Sequence, residues 1–259
     1  MDALVCYRGP EVTGDGSARL ILDSPHNRNA LSSTLVAQLR AGLRDAAADP
    51  NVRAVVLSHT GNTFCAGADL SEASGGNPSD QAADRARELA AALRAIVESP
   101  RPVIAAIDGH VRAGGMGLVG ACDLAVAGPA STFALTEARI GVAPSIISLT
   151  LLPKLSPRAA SRYYLTGEKF GAAEAAAMGL ITLAADDVGA AVTGLLANLR
   201  LGSPQGLAAS KALTTAAVLS AFDRDAEALC VASARLFVSD EAQEGMLAFL
   251  QKRPPSWAT

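Results

Sequence analysis

Pro102-Val103-Ile104-Ala105-Ala106-Ile107 leads within two residues to His110-Val111-Arg112-Ala113-Gly114-Gly115-Met116-Gly117-Leu118, and Leu124-Ala125-Val126-Ala127 follows. The first run is short, apolar and rich in β-branched side chains, which predicts a buried strand. The glycine cluster after it predicts a tight turn, and the third run predicts another strand. Working outward, residues 19–23 and 54–58 read as further strands, and Thr60-Gly61-Asn62 is a turn signal. Ser32 is a candidate N-cap for a helix to about Ala48. Residues 80–98 place Ala83, Ala86, Ala90, Leu93 and Val97 at helical spacing. Strands alternating with helices indicate an α/β core. From about Leu155 onward the pattern is helical, most clearly over 223–237 and 240–251, and Pro254-Pro255 ends it. Residues 73–79 hold two Gly, one Asn and one Pro, a composition that predicts a flexible loop.

The chain has 259 residues, half of them apolar, with 22 basic and 25 acidic side chains for a net charge of −3. That length supports one large domain with a sizeable core. Mild acidity and few aromatics argue against a nucleic-acid surface. The longest uncharged apolar run, 140–153, falls short of the roughly 18 residues of a membrane span. The opening Met-Asp-Ala-Leu lacks the basic-then-apolar layout of a signal peptide, so a cytoplasmic protein is expected. Cys6, Cys65, Cys122 and Cys230 are scattered, with no CxxC and no His at ligand spacing, so no metal is expected. His26, His59 and His110 have no GxSxG elbow beside them.

Two glycine-containing turns follow apolar strands: Phe64-Cys65-Ala66-Gly67-Ala68-Asp69-Leu70 and the cluster at 109–118. Small residues at a strand end let a ligand approach the main chain, and a helix starting at Gly114 would add unpaired N–H groups that suit an oxyanion. Tight turns with close helix–strand packing are the alternative. Neither a clean GxGxxG nor a GxxxxGK[ST] loop is present. Glu137 lies in Phe133-Ala134-Leu135-Thr136-Glu137-Ala138-Arg139-Ile140-Gly141 among apolar neighbours. There it is either a carboxyl of raised pKa able to exchange protons, or a surface ion-pair partner of Arg139, or a glutamate at a helix N-terminus. Arg112 is either a partner for a substrate carboxylate or a solvated side chain. Cys65 reads as a buried small hydrophobe rather than a nucleophile.

Six segments in order, Arg28-Asn29-Ala30-Leu31, Phe64–Leu70, Gly114-Gly115, Cys122-Asp123-Leu124-Ala125, Thr136–Gly141 and Glu244-Gly245-Met246 with Ala248–Pro254, resemble the enoyl-CoA hydratase/isomerase (crotonase) superfamily. The likeness covers nearly the whole chain. It implies a spiral of β-β-α units over 1–195 and a helical C-terminal trimerisation region over 196–259. By this resemblance the N–H groups of Ala68 and Gly114 form an oxyanion hole, with Glu137 as the acid–base group. Arg28, Ala30, Ala66, Ala68, Asp69, Leu70 and Gly114 would line the CoA path, joined by Phe249 and Lys252 from the last helix. The partner implied is an acyl-CoA thioester, with no cofactor beyond the CoA of the substrate, and the assembly implied is a homotrimer or hexamer. Typical hydratases of the family carry a first glutamate where Gly117 stands here. The resemblance therefore implies either hydration of a 2-enoyl-CoA by one glutamate or Δ3,Δ2 isomerisation, and a catalytically silent acyl-CoA binder is the alternative of another class. The stretches 114–118, 141–148 and 162–170 look like the methylglutaconyl-CoA hydratase branch, which suggests branched or carboxylated substrates.

Overall fold

The computed structural model describes residues 3–69 and 77–258. In chain order the elements are β1 (Val5–Arg8), α1 (Pro10–Thr13), β2 (Ser17–Leu22), α2 (Ser33–Ala48), β3 (Ala54–His59), β4 (Thr63–Cys65) and α3 (Pro78–Glu98). Then follow β5 (Val103–Ile107), β6 (His110–Arg112), α4 (Gly114–Ala121), β7 (Leu124–Ala127), β8 (Thr132–Ala134), α5 (Ser148–Leu151) and α6 (Pro157–Thr166). The chain closes with β9 (Phe170–Gly171), α7 (Ala172–Ala177), β10 (Leu183–Ala184), α8 (Val188–Leu201), α9 (Pro204–Phe237) and α10 (Asp240–Leu250).

Two sheets form, one in the order β1-β2-β3-β5-β7-β10 and one in the order β4-β6-β8-β9. Their pairing reveals the repeat. Strands β3, β5 and β7 are parallel neighbours in the first sheet, and β4, β6 and β8, each next in the chain, are parallel neighbours in the second. Each turn of the spiral thus lays one strand in each sheet. After β4 and β6 a helix, α3 or α4, carries the chain back, so the unit is β-β-α.

Local chemistry explains the boundaries. Ser32 Oγ accepts the Leu35 N–H and opens α2, as an N-cap hydroxyl should. Asn77 caps α3 in the same way through Ser79 N–H, with Pro78 at the first helical position. Strands β5 and β7 are almost wholly buried because helices and sheet cover both faces. Phe64, Phe133, Leu93, Ile96 and Tyr163 are among the largest fully buried side chains of the main core. A second core beyond the first sheet packs Val56, Ile104 and Val126 against Val192 and Leu196 of α8.

Two expectations need amending. The region after Leu155 also contains β9 and β10, which extend the two sheets at their ends. The helix expected over 223–237 begins nineteen residues earlier, at Pro204, where Ser203 caps it by accepting the Gly206 N–H. Helix α9 lies along α3 and is pinned to the core by Lys211. Its ammonium reaches Asp123 at 2.7 Å and donates to the Ile96 and Arg101 carbonyls. The division between 195 and 196 falls inside α8. Most of the loop expected over 73–79 lies outside the described residues. Among the described residues no helix is long and apolar enough to cross a membrane.

Candidate active site

The site is built where two turns touch. Residues 28–31 run beside 66–69: Ala66 N–H donates to the Arg28 carbonyl, Leu31 N–H to that of Gly67, and Asp69 N–H to that of Leu31. Arg28 and Asn29 take positive φ angles, which bends the strap around the turn. Gly67, at φ +94°, abuts the start of α4, and a Cβ there would lie 2.7 Å from the Ala113 Cβ and 3.4 Å from the Gly114 nitrogen. Ala68 follows Gly67 directly, so the two amides named from the sequence sit on adjoining turns. Among the described residues neither the Ala68 nor the Gly114 N–H has a protein acceptor. Gly114 is the first residue of α4, so its N–H also carries the helix's positive end.

Strain holds that arrangement. Ala113 caps α4 at φ 46°, ψ −119°, a conformation that an alanine rarely adopts. Strain of this kind persists where the surroundings over-determine it. Here Ala113 N–H is held by the Ala134 carbonyl, at the long distance of 3.4 Å.

Glu137 opens the 3-10 turn Glu137–Ile140 and is buried, at 8% exposure. Desolvation pushes its carboxyl up to about 7, opposed only by its own backbone N–H. Its Oε2 has no hydrogen-bond partner. The surface pairing with Arg139 is not what forms, because Arg139 Nε donates to the Thr166 carbonyl at 2.8 Å. Glu137 is a buried, titratable carboxyl.

Gly117 lies one helical turn into α4. A Cβ there would lie 2.4 Å from Ile147 Cγ2 and 3.2 Å from Leu93 Cδ1. The space that a side chain at 117 would need is therefore filled by the apolar side chain of Ile147. Arg112 is committed to the sheet: it donates to the Val111 and Thr132 carbonyls at 2.8 and 2.6 Å and to Thr132 Oγ1 at 2.8 Å. It is half-buried, with its guanidinium bonded within the sheet. The Cys65 thiol is fully buried and is pushed up to about 12, which excludes a thiolate nucleophile and fits the small-hydrophobe reading.

A cavity of about 350 Å³ opens beside Ala68 and Asp69. Leu31 and Val36, the Arg85–Leu89 face of α3, Ile146, Phe237 of α9, and Met246 and Leu250 of α10 line it. Its wall is mostly apolar. The structure thus brings Arg28, Ala30, Ala66, Ala68, Asp69 and Gly114 to the two turns. Leu70 lies outside the described residues. Phe249 is 62% exposed, and neither it nor Lys252 borders the cavity; their neighbours Met246 and Leu250 do. Sequence reasoning missed the α3 and α10 contributions to the wall. The signal existed in the apolar spacing of 86, 89 and 93, but one face of a helix can meet a core or a cavity alike.

The sequence matches the family described as enoyl-CoA hydratase/isomerase over residues 13–259. A solved structure of an enoyl-CoA hydratase from Mycobacterium avium is 71% identical, covers 100% of both chains and superposes with a TM-score of 0.94. A carnitinyl-CoA hydratase from the same species is 28% identical with a TM-score of 0.83, covering 100% of this chain and 99% of that one. Enoyl-CoA hydratase ACTT6 of Alternaria alternata is 31% identical over 237 residues, 90% of this chain and 78% of that protein. Fold, paired turns and family profile agree: this chain is a crotonase-fold enzyme and belongs to the enoyl-CoA hydratase/isomerase family.

Proposed function

We propose that this protein adds water across the C2=C3 bond of a 2-enoyl-CoA, using Glu137 as its single acid–base carboxylate. The observation that carries the reading is a buried carboxyl held near pKa 7 with one oxygen unpartnered, in a fold that offers two backbone N–H groups with no acceptor among the described residues. The thioester oxygen accepts hydrogen bonds from Ala68 and Gly114. Glu137 takes a proton from water as the water oxygen bonds to C3, and the π electrons move onto the thioester as an enolate. The same carboxyl then returns a proton to C2 and the carbonyl re-forms. A fixed donor of this type is worth about 3–4 kcal/mol at the transition state, and a base near its working pH transfers protons most efficiently.

The acyl chain would enter the cavity between α2, α3 and α10. Its apolar wall favours a branched chain over a carboxylated one, because a buried carboxylate needs a partner. The cation in that wall is Arg85, for which no ion pair forms among the described residues. A carboxylated chain would be met by Arg85 rather than Arg112. Arg28, Ala30, Ala66, Asp69 and Leu70, with Phe249 and Lys252, would approach the CoA moiety, and no cofactor beyond that CoA takes part. We also propose a cytoplasmic trimer or hexamer assembled through 196–259, the helical region beyond the spiral of 1–195. In that region Leu201, Leu213 and Val231 stand exposed.

One carboxylate also suffices to move a proton between C2 and C4, and the apolar filling at Gly117 favours that second reading equally. Turnover of straight, 3-methyl and carboxylated enoyl-CoAs in ¹⁸O-labelled water separates the two. Hydration predicts product carrying labelled oxygen and the mass of one added water. Isomerised product of unchanged mass from 3-enoyl substrates, with no hydration of any 2-enoyl substrate, would overturn the hydratase reading.

A further inference from the structure

Among the described residues, the buried side-chain oxygens that lack a partner are two: Glu137 Oε2 and the Tyr164 hydroxyl. They belong to touching elements. Helix α6, which carries Tyr164, packs on the 3-10 turn that Glu137 opens, and Arg139 of that turn donates to Thr166 at the end of α6. The adjacent tyrosine makes the contrast plain. Tyr163 donates its hydroxyl to Glu174 and packs its ring on Phe170, whereas Tyr164 points its polar end into the interior with nothing to bond.

Burial, and after it the charge of Glu137, raise the Tyr164 phenol above its ordinary range, so it stays protonated at any working pH. A buried hydroxyl without a partner is costly, and natural structures keep few of them. Two such oxygens on packed elements, with the Glu137 charge acting on the phenol, supply what an ordered water needs, since a bound water requires two or more polar partners. Position 117 supplies none, because it is a glycine and Ile147 fills the space a side chain there would take.

Resting on the single-glutamate hydration described above, we propose that Tyr164 is a water-positioning residue. The substrate water gives one O–H to Glu137 and the other to the Tyr164 oxygen, which leaves a lone pair directed at C3. No bond to Tyr164 forms or breaks. The proton passes from water to Glu137 and on to C2.

The test compares two reactions of one site. Hydration of an enoyl-CoA needs the water. Exchange of the C2 proton of a saturated acyl-CoA with deuterated solvent needs only the thioester donors and Glu137. Tyr164→Phe keeps the ring and its packing. It is expected to lower kcat for hydration roughly ten- to a hundredfold, the loss of one hydrogen bond to a reacting group. KM and the C2 exchange rate should stay within about threefold. Equal loss of both reactions would mean a structural role, and loss of neither would mean no role; either outcome overturns the assignment. Glu137→Gln is expected to abolish both. If that variant retains both, the single-glutamate reading itself falls and takes the Tyr164 assignment with it.

Discussion

Glu137 gains its chemistry at a cost in stability. Its carboxyl has an ordinary value of 4.5 and is raised to about 7 in the fold by desolvation. The folded state therefore binds a proton more tightly than the unfolded state. Below about pH 4.5 both states are protonated and there is no penalty; as pH rises to 7 the penalty grows, reaching on the order of 3 kcal/mol above it. Glu137→Gln should melt higher than the parent at pH 8 and at the same temperature as the parent near pH 4, in scanning calorimetry at the two pH values. Catalysis carries the matching sign. A base must be ionised, so log kcat/KM for hydration should fall with unit slope below about pH 7. A profile flat down to pH 5 would remove Glu137 from that role. The burial of Glu137 was one of the readings the sequence left open, and its apolar surroundings were the signal for it. Tyr164 was not legible in the sequence: a residue 27 positions away comes to the Glu137 turn only once α6 is folded against it.

At the scale of elements, α4 and α9 show how the site is held. Ala113 sits at φ 46° at the head of α4, and replacing it by glycine would remove the steric objection. Ala113→Gly should stabilise the protein by roughly 1 kcal/mol if relief of strain outweighs the freedom gained by the unfolded chain. It should also lower kcat, because the Gly114 N–H would no longer be fixed; denaturant unfolding and steady-state kinetics on the same variant read both. Lys211 of α9 is 6% exposed and pairs with Asp123. Lys211→Ala strands that carboxylate, so a loss of about 3–5 kcal/mol is expected in urea unfolding, with Lys211→Met together with Asp123→Asn losing less. The strands β3, β5 and β7 were readable because each is a run of β-branched or apolar residues bounded by turns. The first half of α9 was not: Gly206, Thr214, Thr215 and Val218 are weak helix formers. Strands β8, β9 and β10, of two or three residues, are too short to show a period.

For the molecule as a whole, the C-terminal helices complete the cavity as well as extend the fold. Helix α10 lies against the turn of Glu137, since a Cβ at Gly245 would meet Ile140 backbone at 2.5 Å. The same helix gives Met246 and Leu250 to the cavity wall. Gly245→Leu should therefore push α10 off the Glu137 turn, lowering turnover and raising KM for acyl-CoA together. A variant with unchanged kinetics would show that α10 does not support the site. The order of the six sequence segments did not show this closure, because the cavity's outline depends on which faces of α3 and α10 meet, a matter of helix rotation that the residue pattern leaves open.

The contact between Gly117 and Ile147 also bears on the routes by which such a site can change. A glutamate introduced at 117 alone would drive a charge into space that Ile147 occupies, adding overpacking to an unpaired buried carboxylate. Trimming Ile147 alone would leave a cavity beside Gly117 with nothing to fill it. Each single step is expected to damage the protein, and only the pair of steps together makes room for a second carboxylate. Positions 117 and 147 are thus coupled in sequence space: a carboxylate at 117 requires two coordinated substitutions, and selection acting on one substitution at a time works against the first of them.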